Sequence, residues 1–223
     1  MGASITGEVL ARRGGMQRLL KPGDYVELLQ PGLAPQPGTS VLAVDCLDST
    51  ELMPGYWVTH SENWFPVHGT LLRVYWNLEP RGAPKLTRIL TELLPPQSFC
   101  LKIPADPSAF NRTDAVVLYL RSPAGVVWRA VRRAHDAVSS WLAPEVPPLT
   151  GRLDSGIAIA EHAAAATESY GQHRCRLIAE AVLAAAALGV TDYVSAIRQR
   201  FADERIDPDR PWMAARFVAK SRD

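Results

Sequence analysis

Lys102 is the residue whose type and position most clearly suggest base chemistry. It lies in the stretch Phe99-Cys-Leu-Lys-Ile-Pro, a lysine inside an otherwise apolar strand pattern. Alternation along a strand places it on the same face as Cys100 and opposite Leu101 and Ile103. We expect burial there to depress its pKa. The same pattern fits an edge-strand lysine whose stem lies on the sheet while its ammonium group reaches water.

His68 is a candidate proton donor. It stands in Trp64-Phe-Pro-Val-His-Gly, at the start of the strongest strand pattern, and the glycine after it lets a ligand or another backbone segment come close. An unperturbed imidazole titrates near neutral pH, which suits proton transfer. A turn histidine satisfied by the backbone is the alternative. The four other histidines compete for the same role: His60, His135, His162 and His173.

Arginines recur close to the predicted strands. Arg73 lies within one strand, Arg112 precedes another and Arg121 follows it, and the guanidinium fork of each suits phosphate oxygens. Arg174 ends Ser169-Tyr-Gly-Gln-His-Arg at a predicted helix start, where free backbone N–H groups favour an anion and disfavour a cation. Anion binding would explain this conflict.

The elements that position these residues alternate irregularly between strand and helix patterns. There is no repeated βα unit and no Gly-rich nucleotide loop, so we predict an α+β fold with a central mixed or antiparallel sheet flanked by helices. Strands are predicted at residues 40–46, 57–60, 70–77, 98–103 and 115–121, with a short apolar run at 157–160. Helices are predicted at residues 84–94, 124–142, 174–188 and 191–204.

The chain of 223 residues suits one elaborated domain. A Pro/Gly-rich tract at residues 31–38 suggests that 1–38 form an N-terminal extension and loop, and that 39–223 form a single domain. No apolar run is long enough to span a bilayer and no signal segment is present, so we expect a cytoplasmic protein with no membrane partner.

Composition argues against several classes of partner and site. Lys and Arg number 24 against 23 for Asp and Glu, so no global field favours nucleic acid. The three cysteines, Cys46, Cys100 and Cys175, form no CxxC pair or zinc-like spacing, and no metal site is predicted.

Three stretches resemble the HopA-type effector family. They are Phe99-Cys-Leu-Lys-Ile-Pro, Arg112-Thr-Asp-Ala-Val-Val-Leu-Tyr-Leu and Ser169-Tyr-Gly-Gln-His-Arg-Cys-Arg, and the resemblance covers about residues 56–187. Short stand-alone proteins of this family occur beside kinase-like partners in pathways for lanthipeptides and thioamide-containing peptides (thioamitides). The order of features is also similar, more distantly, to the lyase domain of class III lanthionine synthetases and to bacterial phosphothreonine lyases. The resemblance therefore implies a phosphothreonine-lyase-like fold.

The resemblance also implies an activity and a role for each residue. The chain would be a phosphoserine/phosphothreonine lyase that removes phosphate by β-elimination from a phosphorylated precursor peptide and leaves dehydroalanine or dehydrobutyrine. It would need no cofactor, and a separate kinase-like protein would supply the phosphate, since the chain has no kinase motif. Lys102 would be the base and His68 the acid. The phosphate-binding candidates are Arg112, Arg174, Arg73 and Arg121, with Tyr75, Asp114 and Tyr170 as supporting residues.

Two departures leave open which arginine binds phosphate. Several phosphothreonine lyases carry a second lysine two positions before the base, where this chain has Cys100. The class III lyases place an arginine just before Tyr-Gly, where this chain has Ser169.

Two other functions stay open. One is a non-catalytic subunit that binds the precursor peptide or activates the kinase through the same basic groove. The other is an effector that acts on phosphorylated host signalling proteins, for which the short N-terminus gives little room for a secretion region.

Overall fold

The structure is a computed structural model that describes residues 9–13, 16–20, 25–27, 38, 41–43, 46–50, 53–61, 70–94, 98–121, 125–163 and 168–213. The chain forms two compact units, Met1–Leu47 and Asp48–Asp223. The first unit contains two antiparallel pairs of short strands: β1 (Val9–Arg13) with β2 (Met16–Leu20), and β3 (Tyr25–Glu27) with β4 (Val41–Ala43). Strands β1 to β3 thus lie in the segment for which an extension and loop were predicted.

A seven-stranded sheet contains all the described strands that follow β4. Its strands are β5 (Cys46–Ser49), β6 (Tyr56–Ser61), β7 (Thr70–Trp76), β8 (Phe99–Pro104), β9 (Val116–Arg121), β10 (Gly151–Asp154) and β11 (Ile157–Ala163). Their order across the sheet is β10-β11-β7-β9-β8-β6-β5. The five pairings from β10 to β6 are antiparallel. The predicted α+β class with a central sheet is confirmed.

One face of this sheet is apolar and carries much of the core. Val74, Trp76, Leu101 and Leu118 alternate onto it from three strands and are fully buried. Residues of helix α1 (Ala83–Leu93) line a groove together with Trp57 and Ile103, which belong to this face. The helix therefore lies over the apolar face. Helix α2 (Gly125–Val138) packs against α1. Burying these side chains supplies the main free energy of folding.

The opposite face is polar at its centre, and the start of α3 (Tyr170–Ala187) partly covers it. Tyr170 packs there with Tyr75, Val117 and Ala160, and the partly buried Trp212 adds to the same cluster. Helix α4 (Tyr193–Asp203) packs on α3 through Phe201 and Leu177, and Ile206, just after α4, joins the same cluster. The sheet therefore has one face for the core and one face on which polar side chains gather.

The predicted start of α3 was wrong by about one turn. The helix begins at Tyr170, because Ser169 caps it: the Ser169 hydroxyl accepts from the Gln172 N–H at 3.2 Å and the Gln172 side chain accepts from the Ser169 N–H at 2.9 Å. The short apolar run predicted at 157–160 proved to be strand β11, which forms a hairpin with β10. None of the helices described is long and apolar enough to span a membrane.

Candidate functional site

The register of the central strands brings four of the nine predicted site residues onto the polar face: Arg73, Tyr75, Lys102 and Arg121. Residues directly opposite each other in antiparallel strands project to the same side. One row consists of Arg73, Tyr119 and Cys100, and the next consists of Tyr75, Val117 and Lys102. Strand β8 pairs with β9 on one side and β6 on the other. Lys102 therefore lies on an interior strand, and the edge-strand interpretation of its pattern was wrong.

Lys102 contacts a tyrosine that the sequence analysis did not single out. Its Nζ lies 3.8 Å from the centroid of the Tyr56 ring, a cation–π contact, and the side chain is partly buried. The Tyr56 hydroxyl in turn accepts a hydrogen bond from Arg112 Nη1 at 3.2 Å. Tyr56 thus joins the predicted base to the first of the predicted phosphate-binding arginines.

Arg112 is paired with Asp114 through both arms of its guanidinium. Nε donates to Oδ1 at 2.5 Å and Nη2 to Oδ2 at 2.8 Å, and the hydrogen bond to this carboxylate raises the pKa of Arg112. The side chain of Arg112 is 47% exposed. Because Asp114 already compensates its charge, Arg112 is a weaker anion-binding candidate than an arginine without a carboxylate partner.

Arg73 is the arginine at the centre of the polar face. Its guanidinium carbon lies 5.5 Å from the centroid of the Tyr119 ring. Its Nη1 is buried and has no hydrogen-bond partner among the residues described. A buried donor without a partner costs roughly 1–3 kcal/mol, so this nitrogen is well placed to bind an incoming acceptor.

The tyrosines and the cysteine around Arg73 stay neutral near pH 7. Burial is the main cause that raises the pKa of Tyr75 and of Tyr119, with the Arg73 charge acting in the opposite direction. Burial also raises the pKa of Cys100 to about 12, although the Lys102 charge lowers it. The hydroxyls can therefore donate hydrogen bonds to a ligand, but neither they nor the thiol are ready bases.

Arg174 and Tyr170 form the part of the site that α3 contributes. Arg174 is only 2% exposed; its Nε donates to the Pro211 carbonyl at 2.9 Å and its guanidinium carbon lies 4.8 Å from the centroid of the Tyr170 ring. Burial lowers the pKa of Arg174. The Tyr170 hydroxyl lies near the carbonyls of Pro211, at 3.1 Å, and Leu149, and burial raises its pKa to about 12.

Two histidines adjoin these arginines, and the sequence analysis gave neither a specific role. His162, on β11, is 7% exposed, and its ring centroid lies 5.1 Å from that of His173 and 6.1 Å from that of Tyr170. Burial lowers the pKa of His162 to about 4, helped by the charges of Arg73, His173 and Arg174. If the predicted apolar run had been extended to residue 162 as a full strand, alternation would have placed His162 on the same face as Ala158 and Ala160.

The remaining predicted residues fall into two groups. Arg121 is described at the end of β9, exposed and on the polar face opposite Leu71. His68 lies outside the described residues, so its role stays a prediction. Within the part of the chain that is described, no group of three His, Cys, Asp or Glu side chains is placed to bind a metal.

Comparison with known proteins identifies the class to which this fold and polar face belong. The model of the HopA1 effector protein family matches residues 47–213, most of the chain, and the chain belongs to this family. The resemblance noted in the sequence is thereby confirmed. No curated protein matches.

Two solved structures of effector proteins share the fold. The one from Pseudomonas syringae pv. tomato strain DC3000 has a TM-score of 0.58 and 17% identity, covering 70% of this chain and 62% of that chain. The one from Pseudomonas syringae pv. syringae strain 61 has a TM-score of 0.55 and 16% identity, covering 72% and 63% respectively. The chain thus spans less than two thirds of the length of either effector.

Proposed function

We propose that this chain is a lyase that removes phosphate from phosphoserine or phosphothreonine in a peptide by β-elimination. The observation that carries the proposal is the unpartnered, buried Arg73 nitrogen on the face that also carries Lys102. A phosphate dianion would satisfy Arg73, and a lysine nearby has the chemistry of a base for the adjacent Cα proton.

The spacing of the two residues suits one substrate residue. Arg73 and Lys102 are separated by one strand, β9, and by a shift of two residues along the sheet. Two interstrand spacings and that shift put their Cα atoms roughly 12 Å apart. Two long side chains that start there can converge on a group bound above Tyr119 and Val117.

In the proposed elimination, each of these residues either transfers a proton or stabilises the charge that develops. Lys102 acts as the base that takes the Cα proton, the electron pair of that C–H bond forms the Cα=Cβ double bond, and the Cβ–O bond breaks with its pair leaving on phosphate. Arg73 and Arg174 stabilise the charge that develops on phosphate. His68 is the expected proton donor to it. The Lys102 contact with Tyr56, worth about 0.5–1 kcal/mol at such a site, is weak enough to exchange for a substrate contact.

The biological substrate that we propose is a ribosomally made precursor peptide phosphorylated by a separate kinase-like protein. Its product would carry dehydroalanine or dehydrobutyrine. The support is family membership, together with the three stretches that resemble the family, some of whose members occur beside kinase-like partners. A precursor-binding subunit and an effector acting on host phosphoproteins are the competing outcomes.

Mass spectrometry of a phosphoserine peptide incubated with the purified protein and EDTA tests this proposal. We expect loss of phosphoric acid and a dehydroalanine that a thiol can trap. Arg73→Gln should lower kcat/KM on the order of a hundredfold, as for loss of one anion-stabilising donor. Arg129→Gln, on the exposed side of α2, should have no effect. Serine as the product would mean hydrolysis and would refute the proposal, and an unchanged peptide would favour the subunit.

A further inference from the structure

The β11 and α3 side of the site contains a cluster of two arginines and two histidines: Arg73, Arg174, His162 and His173. Arg174 donates to the Pro211 carbonyl and to His173, and Arg73 Nη1 has no hydrogen-bond partner among the described residues. Glu168 interacts with both histidines, and its carboxylate is held by Arg176 at 2.8 Å. Among the described residues, positive or potentially positive groups therefore lie together, partly or fully buried, and the Glu168 carboxylate beside them is already bound by Arg176. This arrangement favours a ligand that supplies negative charge.

The hydrogen bonds of the cluster leave two buried atoms unsatisfied. Arg174 Nη1 can only donate, so His173 Nδ1 accepts its hydrogen bond and the neutral ring carries its proton on Nε2. His162 hydrogen bonds to the main chain of Glu168, whereas its Nε2 is buried without a partner in the described part of the chain. Arg73 Nη1 is the second such atom. In the neutral ring this leaves His162 Nε2 as a bare acceptor.

The two unsatisfied atoms belong to neighbouring strands on the same face. Ala160 of β11 lies directly opposite Arg73 of β7, and His162 follows two residues along β11. An anion bound at Arg73 therefore lies within the neighbourhood of the His162 ring. A protonated Nε2 would donate to the anion, whereas the neutral ring would turn a lone pair towards it.

We propose that His162 is a further anion-binding residue of this site and takes up a proton when a tetrahedral dianion binds beside Arg73 and Arg174. This inference rests on the proposed function for the identity of the anion, a substrate or product phosphate. The dianion supplies the negative charge that the cluster lacks, and the charged imidazole then completes its coordination. His162 would thus add a pH-dependent contact to the fixed charges of the arginines.

The groups that face His162 explain why its proton is lost before the anion arrives. Arg73 faces it from β7, Arg174, His173 and Tyr170 face it from α3, and the main chain and carboxylate of Glu168 lie just before α3. Arg121 lies on the same face two strands away. Burial and this positive surrounding lower the pKa of His162, and a nearby dianion acts in the opposite direction.

Sulfate is the probe for this inference, because its charge stays fixed over the working pH range. Its affinity for the whole protein is measured by calorimetry from about pH 7.5 down to about pH 5. We expect the affinity of the wild type to rise by up to about tenfold for each pH unit in the lower part of this range, the limit for one linked proton. The part of this pH dependence that comes from the His162 proton should be absent in His162→Gln. His135→Gln, on α2, should keep it.

An unchanged pH dependence in His162→Gln would overturn the inference, as would a wild type that does not bind sulfate or binds it equally at every pH. Nuclear magnetic resonance of the wild-type imidazoles, with and without sulfate, gives the protonation of His162 directly if the variant folds poorly. The elimination assay separates the two proposals. If the protein eliminates phosphate but its sulfate binding does not depend on His162, the lyase proposal holds and the role of His162 is refuted. If sulfate binding is linked to a proton but no elimination occurs, the anion site holds and the lyase proposal is refuted.

Discussion

At the scale of single residues, the site relies on arginines set among neutral tyrosines. Cys100 occupies the position where several phosphothreonine lyases carry a second lysine, and its thiol is buried and neutral. Arg73 lies in the same cross-strand row, two strands away. Arg73, on β7, therefore places a positive charge in the row in which this chain has no lysine on β8. This placement explains why we favour Arg73 over Arg112, whose charge Asp114 already neutralises.

The burial of His162 has a consequence for stability. An unfolded histidine titrates near pH 6.5, but the pKa of His162 in the fold is about 4. Between these two pH values, the histidine binds more protons in the unfolded chain than in the folded one. The free energy of unfolding therefore falls as the pH drops from about 6.5 to about 4, and His162 causes no further fall below about pH 4.

Replacing His162 with glutamine should remove this loss. We expect the wild type to lose about 2 kcal/mol more than His162→Gln when urea unfolding is compared at about pH 7 and about pH 4.5, since each pKa unit corresponds to about 1.4 kcal/mol. Equal losses in the two proteins would show that His162 is not buried in its neutral form.

At the scale of elements, the first turn of α3 positions Tyr170 and Arg174 at the end of the site where we propose that an anion binds. Ser169 and Gln172 form a reciprocal cap, and the turn that they fix carries Tyr170 and leads to Arg174. Both side chains then reach the Pro211 carbonyl. The cap is therefore expected to matter for function as well as for stability.

Comparison of two helix caps tests this expectation. Ser169→Ala and Asp192→Ala should each cost about 1 kcal/mol of unfolding free energy, because each removes an N-cap side chain. Only Ser169→Ala should also weaken sulfate binding, by a few fold, since α4 carries none of the site residues. Equal sulfate affinities in the two variants would contradict a positioning role for this cap.

Local patterns predicted the central strands well because alternation and burial coincide there. The apolar face of β7, β8 and β9 produces a period of two, which also assigned Lys102 to its face. The start of α3 was misplaced because the sequence analysis did not use the Ser169–Gln172 capping pair. His162 was missed because the short apolar run did not extend the strand, and Tyr56 because its contact with Lys102 depends on pairing between β6 and β8.

At the scale of the whole molecule, the sheet separates stability from chemistry. Its apolar face carries the core under α1, whereas its polar face collects cations although the chain as a whole has a net charge of only +1. A nearly neutral protein gives little long-range attraction for an anionic peptide, so binding must depend on the local arginines. This arrangement is what a peptide lyase with a single phosphate site requires.

The most direct test of the central claim compares two lysines that both lie over aromatic rings. Lys102 Nζ, on the polar face, lies 3.8 Å from the centroid of the Tyr56 ring, and Lys85 Nζ, on α1, lies 5.4 Å from the centroid of the Trp141 ring. Elimination of phosphate from a phosphoserine peptide should fall by at least a hundredfold in Lys102→Ala, the loss expected for a general base, and stay at the wild-type rate in Lys85→Ala. Full elimination by Lys102→Ala would contradict the account.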